Sequence, residues 1–539
     1  HGARGCETPG PSGKAQLKGV NMAYDYKPYP YVAPPGLKAP EPRHKVLIVG
    51  AGPIGLAAAI ELDNHGIPSV VIDDNDVVSV GSRAICWSKR SLEILGRMGD
   101  VGRRSVEKGV TWKVGRTHHR EREVYNFDLL PEAGHKMPAF VNLQQYYVEE
   151  YLIEEALRRP GIEVRFKNKV TGIAPHVDHV VATVETPDGT YQLEADWLIA
   201  CDGARSPIRQ MMGLDFAGEL FEERFLIADI EMQADFPSER WFWFEPTFHS
   251  GQSALLHKQP DNIYRIDLQL GWDTDPEVEK RPENIIPRIR KVVGERDFRL
   301  DWSSIYTFQC RRLEKFVHGR MIFAGDSAHV VSPFGARGGN GGLQDVDALG
   351  WRLAAVVQGR AAETSLAAYD RERVFGADEN ILNSSRTTRF MTPAAGMERL
   401  LRDQVLKLAG QAPFARALVN SGRLSVPCIY PSDGHDEAAM PAVSRPGAVA
   451  PDAPQGQGWL LDGLGRRPVL LCLNAAAPDG VHADPVSAEI NDFVRARYLG
   501  QAGAGLYLIR PDQIVAARWT EANAVTINAA LEAMWEGRS

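Results

Sequence analysis

Ten residues constrain this chain more than any other feature: Val46-Leu-Ile-Val-Gly50-Ala-Gly52-Pro53-Ile54-Gly55. Four apolar residues make a short buried strand, and three glycines follow at the spacing G-x-G-x-x-G. An Ala/Leu-rich stretch then reads as a helix ending near Gly66, a second apolar strand follows at 70–72, and Asp73 stands 18 residues after Gly55. Each part has a physical job. Gly50 permits the tight turn, Gly52 lets backbone approach a pyrophosphate, and Gly55 lets helix and strand pack closely. The helix N-terminus, entered through Pro53 and Ile54, offers free N–H groups and a positive dipole end to phosphates. An acid at Asp73 is placed to accept hydrogen bonds from a ribose diol, whereas Asp74 is expected on the solvated surface. Together these residues predict a βαβ dinucleotide-binding unit.

Two further strand-to-turn junctions follow. Trp197-Leu-Ile-Ala-Cys201-Asp202-Gly203 delivers Asp-Gly into a turn, and Ser206-Pro207 then starts a helix. Met321-Ile-Phe-Ala-Gly325-Asp326 delivers Gly-Asp, where a carboxylate can accept from a hydroxyl of an extended sugar alcohol. Beyond it, Pro333-Phe-Gly-Ala-Arg-Gly338-Gly339-Asn340-Gly-Gly leads into a helix that reads clearly only from Leu343. Glycine there lets a flat ring approach backbone closely, and the helix dipole favours negative charge developing on it.

A chain of 539 residues that is 44% hydrophobic supports several domains. A net charge of −8 with no basic block argues against nucleic acid, and no apolar run approaches the ~20 residues of a membrane helix. Six scattered cysteines (Cys6, Cys86, Cys201, Cys310, Cys428, Cys472) fit reduced thiols in the cytoplasm, with no metal site expected. Residues 1–21 have no apolar signal-peptide core and are expected to be an expression leader with Met22 as the native start, a natural extension being the alternative. Segments 116–139 and 216–309 alternate and are rich in aromatics, predicting an inserted antiparallel sheet between segments 44–115, 140–215 and 310–375 of the dinucleotide-binding domain. Residues 376–428 read as helical, 429–444 as a Pro-rich linker, and 445–539 as a further α/β unit.

The three junctions, in this order and at these separations, resemble the aromatic hydroxylase family of flavoprotein monooxygenases, the para-hydroxybenzoate hydroxylase fold. The resemblance covers residues 44–375. It implies an α/β chain with a Rossmann-like FAD-binding domain, an inserted substrate sheet and a helical segment. It assigns FAD contacts to Gly50, Gly52, Pro53, Ile54, Gly55 and Asp73, to Asp202 and Gly203, and to Gly325 and Asp326. The same role falls to Pro333, Gly338, Gly339 and Asn340. Arg83 in Gly81-Ser-Arg-Ala resembles the loop arginine that touches FAD, and Gln145 the flavin-contacting glutamine at a helix start. Pro333 and the Gly339 and Asn340 amides are the implied catalytic groups. NADH or NADPH would reduce the flavin, O2 would convert it to a C4a-hydroperoxide, and one oxygen atom would pass to a small phenolic substrate. The wording around Arg83 and Pro333 is closest to the 3-(3-hydroxyphenyl)propionate hydroxylase-like branch. Residues 445–539 look like the thioredoxin-like appendage of the phenol hydroxylase branch. They have no CxxC pair, so their removal is expected to leave the chemistry in principle intact.

The substrate site is set by chemistry alone. Trp243, His249, His257 and Arg265, with Phe244, are candidates; for each, core packing or a local ion pair is the competing expectation. Trp241-x-Trp243-x-Glu245-Pro246 superficially resembles a flavin halogenase motif but lacks its isoleucine. Two other readings stay open: a tailoring oxygenase on a polycyclic natural product, by hydroxylation, epoxidation or Baeyer–Villiger insertion, and a flavin-binding sensor without turnover. The oligomeric state is open, a homodimer being the candidate.

Overall fold

The computed structural model describes residues 23–271, 273–419, 424 and 426–538, with backbone alone at 221–223; the leader expected at 1–21 lies outside them. Along the chain, β1 (His44–Val49) turns into α1 (Pro53–Asn64), followed by β2 (Ser69–Asp73) and β3 (Cys86–Ser88). A hairpin, β4 (Val114–His119) and β5 (Arg122–Asp128), precedes β6 (Phe140–Asn142), α2 (Gln145–Leu157), β7 (Ile162–Phe166) and β8 (Gly189–Ala200). Next come β9 (Ala217–Met232), β10 (Arg240–Phe244), β11 (Ser253–Lys258), β12 (Ile263–Gln269), α3 (Pro282–Val293) and β13 (Phe298–Arg312). The chain returns through β14 (Met321–Phe323) and β15 (His329–Val330) to α4 (Gly338–Val357) and α5 (Leu366–Met391).

β7, β2, β1, β8 and β14 pair in that order, all parallel. Val46, Leu47, Ile48, Ile72, Leu198 and Ile322 are fully buried, as strands covered on both faces require. The chain passes from β1 to β2 on one side and reaches β8 on the other, which puts the topological switch at the carboxyl end of β1.

The second sheet runs β15, β13, β9, β12, β11, β10, β4, β5. It is antiparallel except where the two inserted passes meet: β10 lies parallel to β4, with Arg240 opposite Gly115. No hairpin joins these two strands, so nothing forces them antiparallel. Alternation sorts the side chains. Leu226, Ala228, Leu256 and Ile266 face outward and pack under Ile285, Ile289 and Val293 of α3. Phe225, Phe242, Phe244, Leu255 and Phe308 face inward with Phe334 and Met391.

Strands Asp484–Ser487, Val469–Leu473, Gly505–Ile509 and Val515–Trp519 form a separate mixed sheet with the helix Ala524–Trp535. It is attached to the flavin-binding segments through buried charged side chains. Arg510 donates to both oxygens of Glu372 on α5, at 2.8 and 2.9 Å, and Arg352 of α4 donates to Glu372 at 2.8 Å. Arg90 donates to Gln513 Oε1 at 2.9 Å, to the Asp512 carbonyl at 2.6 Å and to Asp347 of α4 at 2.6 Å. These charges are buried, so the interface is a desolvated ionic contact. Even the Pro-rich segment is tied down: Tyr430 N donates to the Gly447 carbonyl, and Arg518 reaches Asp436 at 2.6 Å. No helix among the described residues is long and apolar enough to cross a membrane.

Candidate active site

The sequence-predicted turns converge at the carboxyl edge of the parallel sheet. Gly50, with φ of 108°, makes the turn after β1, and a Cβ on Gly55 would collide with the Gly50 carbonyl oxygen. A Cβ on Gly52 or Gly203 would meet open space, so both present bare backbone to a recess. Asp73 braces the turn: Oδ2 accepts from Ala51 N at 2.6 Å and Oδ1 from Asn75 N at 2.8 Å. Burial pushes its carboxyl up to about 6, while Asp74 is exposed.

At the end of β8, Asp202 Oδ2 accepts from Ile208 N at 3.0 Å at the start of a short helix; Oδ1 is buried without a partner. Burial raises its carboxyl above the usual range. At the end of β14, Asp326 lies deep among protein atoms, and this burial raises its carboxyl although the charges of His329 and Arg83 oppose the shift. The residue is nevertheless exposed to solvent. Gly338 begins α4 beside it: a Cβ there would stand 4.0 Å from Asp326 Oδ1.

The Gly338-Gly-Asn-Gly-Gly run belongs to the helix itself, although the sequence reads as helical only from Leu343. It forms the first turn, where N–H groups have no intrahelical acceptor and glycine costs least. Asn340 is bound through its side chain: Oδ1 accepts from Ser88 N at 2.9 Å, and Nδ2 donates to the Cys86 and Ala336 carbonyls. Its side chain therefore fastens β3 to the helix start, leaving the backbone N–H for a ligand. Pro333 is exposed just before the helix, its carbonyl accepting from Ala336 N at 3.1 Å.

Arg83 is exposed, with φ of 44°, on a loop held from two sides. Gln145 opens α2; its Oε1 accepts from Ala84 N at 3.2 Å and its Nε2 donates to Glu149 at 2.7 Å. From the inserted sheet, Arg265 donates to the Arg83 carbonyl and pairs with Asp267 at 2.9 Å. Arg265 is thus a brace between sheet and loop.

The other substrate candidates divide by strand parity. His257 lies on the inner face, 4.0 Å from Cys86 Sγ, and burial with Arg240 and Arg265 nearby holds it neutral. Phe244 is inward too. Trp243 is not: with Trp241 it packs in the outer layer under α3, and it stacks on His118. His249 sits beyond the strand, bound to the Gln269 carbonyl at 2.6 Å, near Arg288 and Lys291. Trp243 thus has the core-packing surroundings that competed with a substrate role, and His249 lies outside the alternation of the strand. Sequence reading missed Arg240, Phe242 and Asp229 on the inner side. Arg240 and Phe242 share the parity of Phe244, which was the available signal. Asp229, pushed up by burial to about 6, needs the fold to be found.

A family profile described as an FAD binding domain matches residues 43–384. The chain is 28% identical over 376 residues to a 3-(3-hydroxy-phenyl)propionate/3-hydroxycinnamic acid hydroxylase of Mycolicibacterium smegmatis, covering 69% of this chain and just under two thirds, 66%, of that one. It is 29% identical over 549 residues to the 6-methylpretetramide 4-monooxygenase of Streptomyces rimosus, covering 93% of this chain and 94% of that one. The solved structure of the flavin-dependent monooxygenase PieE with FAD and substrate has the same fold, with a TM-score of 0.76 at 20% identity over 93% of this chain and 100% of that one.

Proposed function

Because the chain belongs to the FAD binding domain family of flavin-dependent monooxygenases, we propose that it hydroxylates a phenolic aromatic compound using NADH or NADPH and O2. The observation that carries this is the set of glycine-containing turns that leave the carboxyl ends of β1, β8 and β14. Those turns carry uncovered backbone at Gly52 and Gly203, the orphaned Asp202 Oδ1 and the exposed Asp326. Those features fit FAD: glycine backbone against the pyrophosphate, and carboxylate acceptors for its hydroxyls.

FAD, when bound, supplies the electron transfer from nicotinamide to O2 and the delivery of one oxygen atom to the ring. The chain does the rest. The Gly50–Gly55 turn and the α1 N-terminus hold phosphate, and Asp73 accepts from ribose. Asp326 accepts from the ribityl chain. The Gly339 and Asn340 N–H groups, at the positive end of α4, would favour negative charge on a flavin held there. Phe242, Phe244 and Phe308 give the inserted sheet an apolar inner face that excludes water from the reacting ring.

The test is a phenol panel scored by stimulated NAD(P)H oxidation, product mass and 18O2 labelling. One oxygen atom from O2 in the product supports the reading; oxygen from water, or no stimulation by any phenol, rejects it. A second reading, tailoring of a polycyclic natural product, is favoured by the length of the match to the Streptomyces rimosus enzyme, which spans nearly the whole chain. Including polycyclic phenols in the panel separates the two.

A further inference from the structure

Arg240 opens the aromatic strand β10 and shares the inward parity of Phe242 and Phe244. It is 4% exposed, its Nε is buried without an acceptor, and no carboxylate among the described residues pairs with it. Other deeply buried arginines are answered: Arg90, Arg165, Arg265, Arg352, Arg373 and Arg510 each have a carboxylate oxygen within 2.9 Å. A guanidinium does not deprotonate inside a protein. Arg240 therefore carries a full charge into a desolvated place with nothing opposite it, which a fold retains at a cost to its stability.

The neighbours do not supply the missing anion. Burial lifts the Cys86 thiol to about 11, so it stays protonated. His257, the cross-strand partner of Arg240, is held neutral, and Asp267 is engaged by Arg265. The position is also close to the chemistry. Cys86 adjoins His257, and its carbonyl accepts from Asn340 Nδ2 at 2.9 Å, in the first turn of α4. Trp87, next in β3, packs against that turn, where a Cβ on Gly339 would stand 3.4 Å from its ring.

We propose that Arg240 is the specificity-determining residue of the substrate site and binds a carboxylate on the substrate, so that the enzyme takes phenolic acids in preference to neutral phenols. This rests on the hydroxylase reading above. A planar guanidinium grips a carboxylate through two parallel N–H···O bonds, which fixes the orientation of the attached ring as well as its affinity. The phenolic ring then lies against the aromatic side chains that follow Arg240 on the same face.

The experiment compares 3-(3-hydroxyphenyl)propionate with its primary amide, which differs in charge and little in shape, on FAD-loaded wild type, Arg240→Met and Arg240→Lys. Binding is read from perturbation of the flavin absorbance and turnover from NAD(P)H oxidation. Wild type is expected to favour the acid about ten- to hundredfold, the worth of a charge-assisted hydrogen bond. Arg240→Met brings the two ligands to within about twofold, and Arg240→Lys keeps part of the preference. Arg240→Met also raises the melting temperature, because it removes an unanswered buried charge; a structural arginine would lower it. An unchanged acid/amide ratio in Arg240→Met, a ratio near one in wild type, or no binding of either probe overturns the proposal. Should the acid bind in an Arg240-dependent way without any phenol stimulating NAD(P)H oxidation, the anion site stands and the hydroxylase reading falls. Stimulation with a ratio indifferent to Arg240 gives the reverse.

Discussion

Asp345 Oδ1 accepts from Arg373 Nε at 2.6 Å with both side chains wholly removed from water. Oδ2 of the same carboxylate lies 2.6 Å from His329 Nε2 and accepts from Gly325 N at 2.9 Å. One buried acid on α4 therefore fixes the turn that presents Asp326. Burial opposes its charge, but His329 and Arg373 overcome that and hold the carboxyl below its usual 3.8.

Asp345→Ala is expected to destabilise the fold by about 3–5 kcal/mol, because Arg373 and His329 lose their buried partner. Thermal unfolding and FAD content are the measurements. Since the carboxyl titrates lower in the folded state, its contribution is complete above about pH 4 and lost as pH falls through the depressed value. Asp345→Asn should accordingly flatten the acid limb of the stability curve.

FAD affinity of the apoprotein should weaken as pH falls below about 6, where Asp73 takes up a proton. A ribose hydroxyl donated to the carboxylate favours its ionised form, so binding releases a proton in this window and affinity rises with pH until Asp73 is fully charged. Titration of apoprotein with FAD from pH 5 to 8 on wild type and Asp73→Asn checks it. The variant should bind more weakly and lose this component of the pH dependence.

Asp326→Ala should lower FAD affinity about ten- to hundredfold, the loss of a charge-assisted bond worth about 1.5–3 kcal/mol. Asp74→Ala, exposed just after β2, should leave it within about twofold, the scale of an ordinary surface substitution. Equal affinities in the two variants would remove the ribityl assignment.

Deletion of residues 445–539 should give protein that fails to retain FAD. Glu372 would lose Arg510, and Arg90 would lose Gln513 and the Asp512 carbonyl, all in buried places. A broken buried ion pair costs about 3–5 kcal/mol and a lost hydrogen bond from a charged group about 1.5–3 kcal/mol, together comparable with the whole stability of many domains. A truncated protein that stays yellow and folded by circular dichroism would show that this interface is dispensable.

The strand-turn-helix junctions were legible because their requirements are local. A glycine at Gly50 or Gly55 answers to atoms within a few residues of itself, and an acid after β2 follows from one helix length. The inner face of the inserted sheet was not legible in the same way. Both of its faces are covered, one by α3 and the other by Phe334, Met391 and the helical residues Leu406 and Ala409, so polarity along Arg240-Trp-Phe-Trp-Phe244 gives the alternation but not its phase. Trp243 and Phe242 are equally apolar to a sequence reader, and only the packing of α3 separates them. The ionic seam with the last domain was hidden for a related reason. Arg510 meets Glu372 across 138 residues, and nothing near either one marks it as destined for burial.

Glu372 serves two arginines that belong to different parts of the chain, Arg352 on the helix that starts at the flavin recess and Arg510 in the last domain. Heredity is constrained accordingly. Recombination that imported a foreign terminal domain would bring residues cut to some other partner, and a mismatch would strand charge in a dry interface. The acid on α5 and the arginine at 510 must therefore be inherited together. A foreign terminal domain is compatible with this chain only if it brings a cation to the place of Arg510.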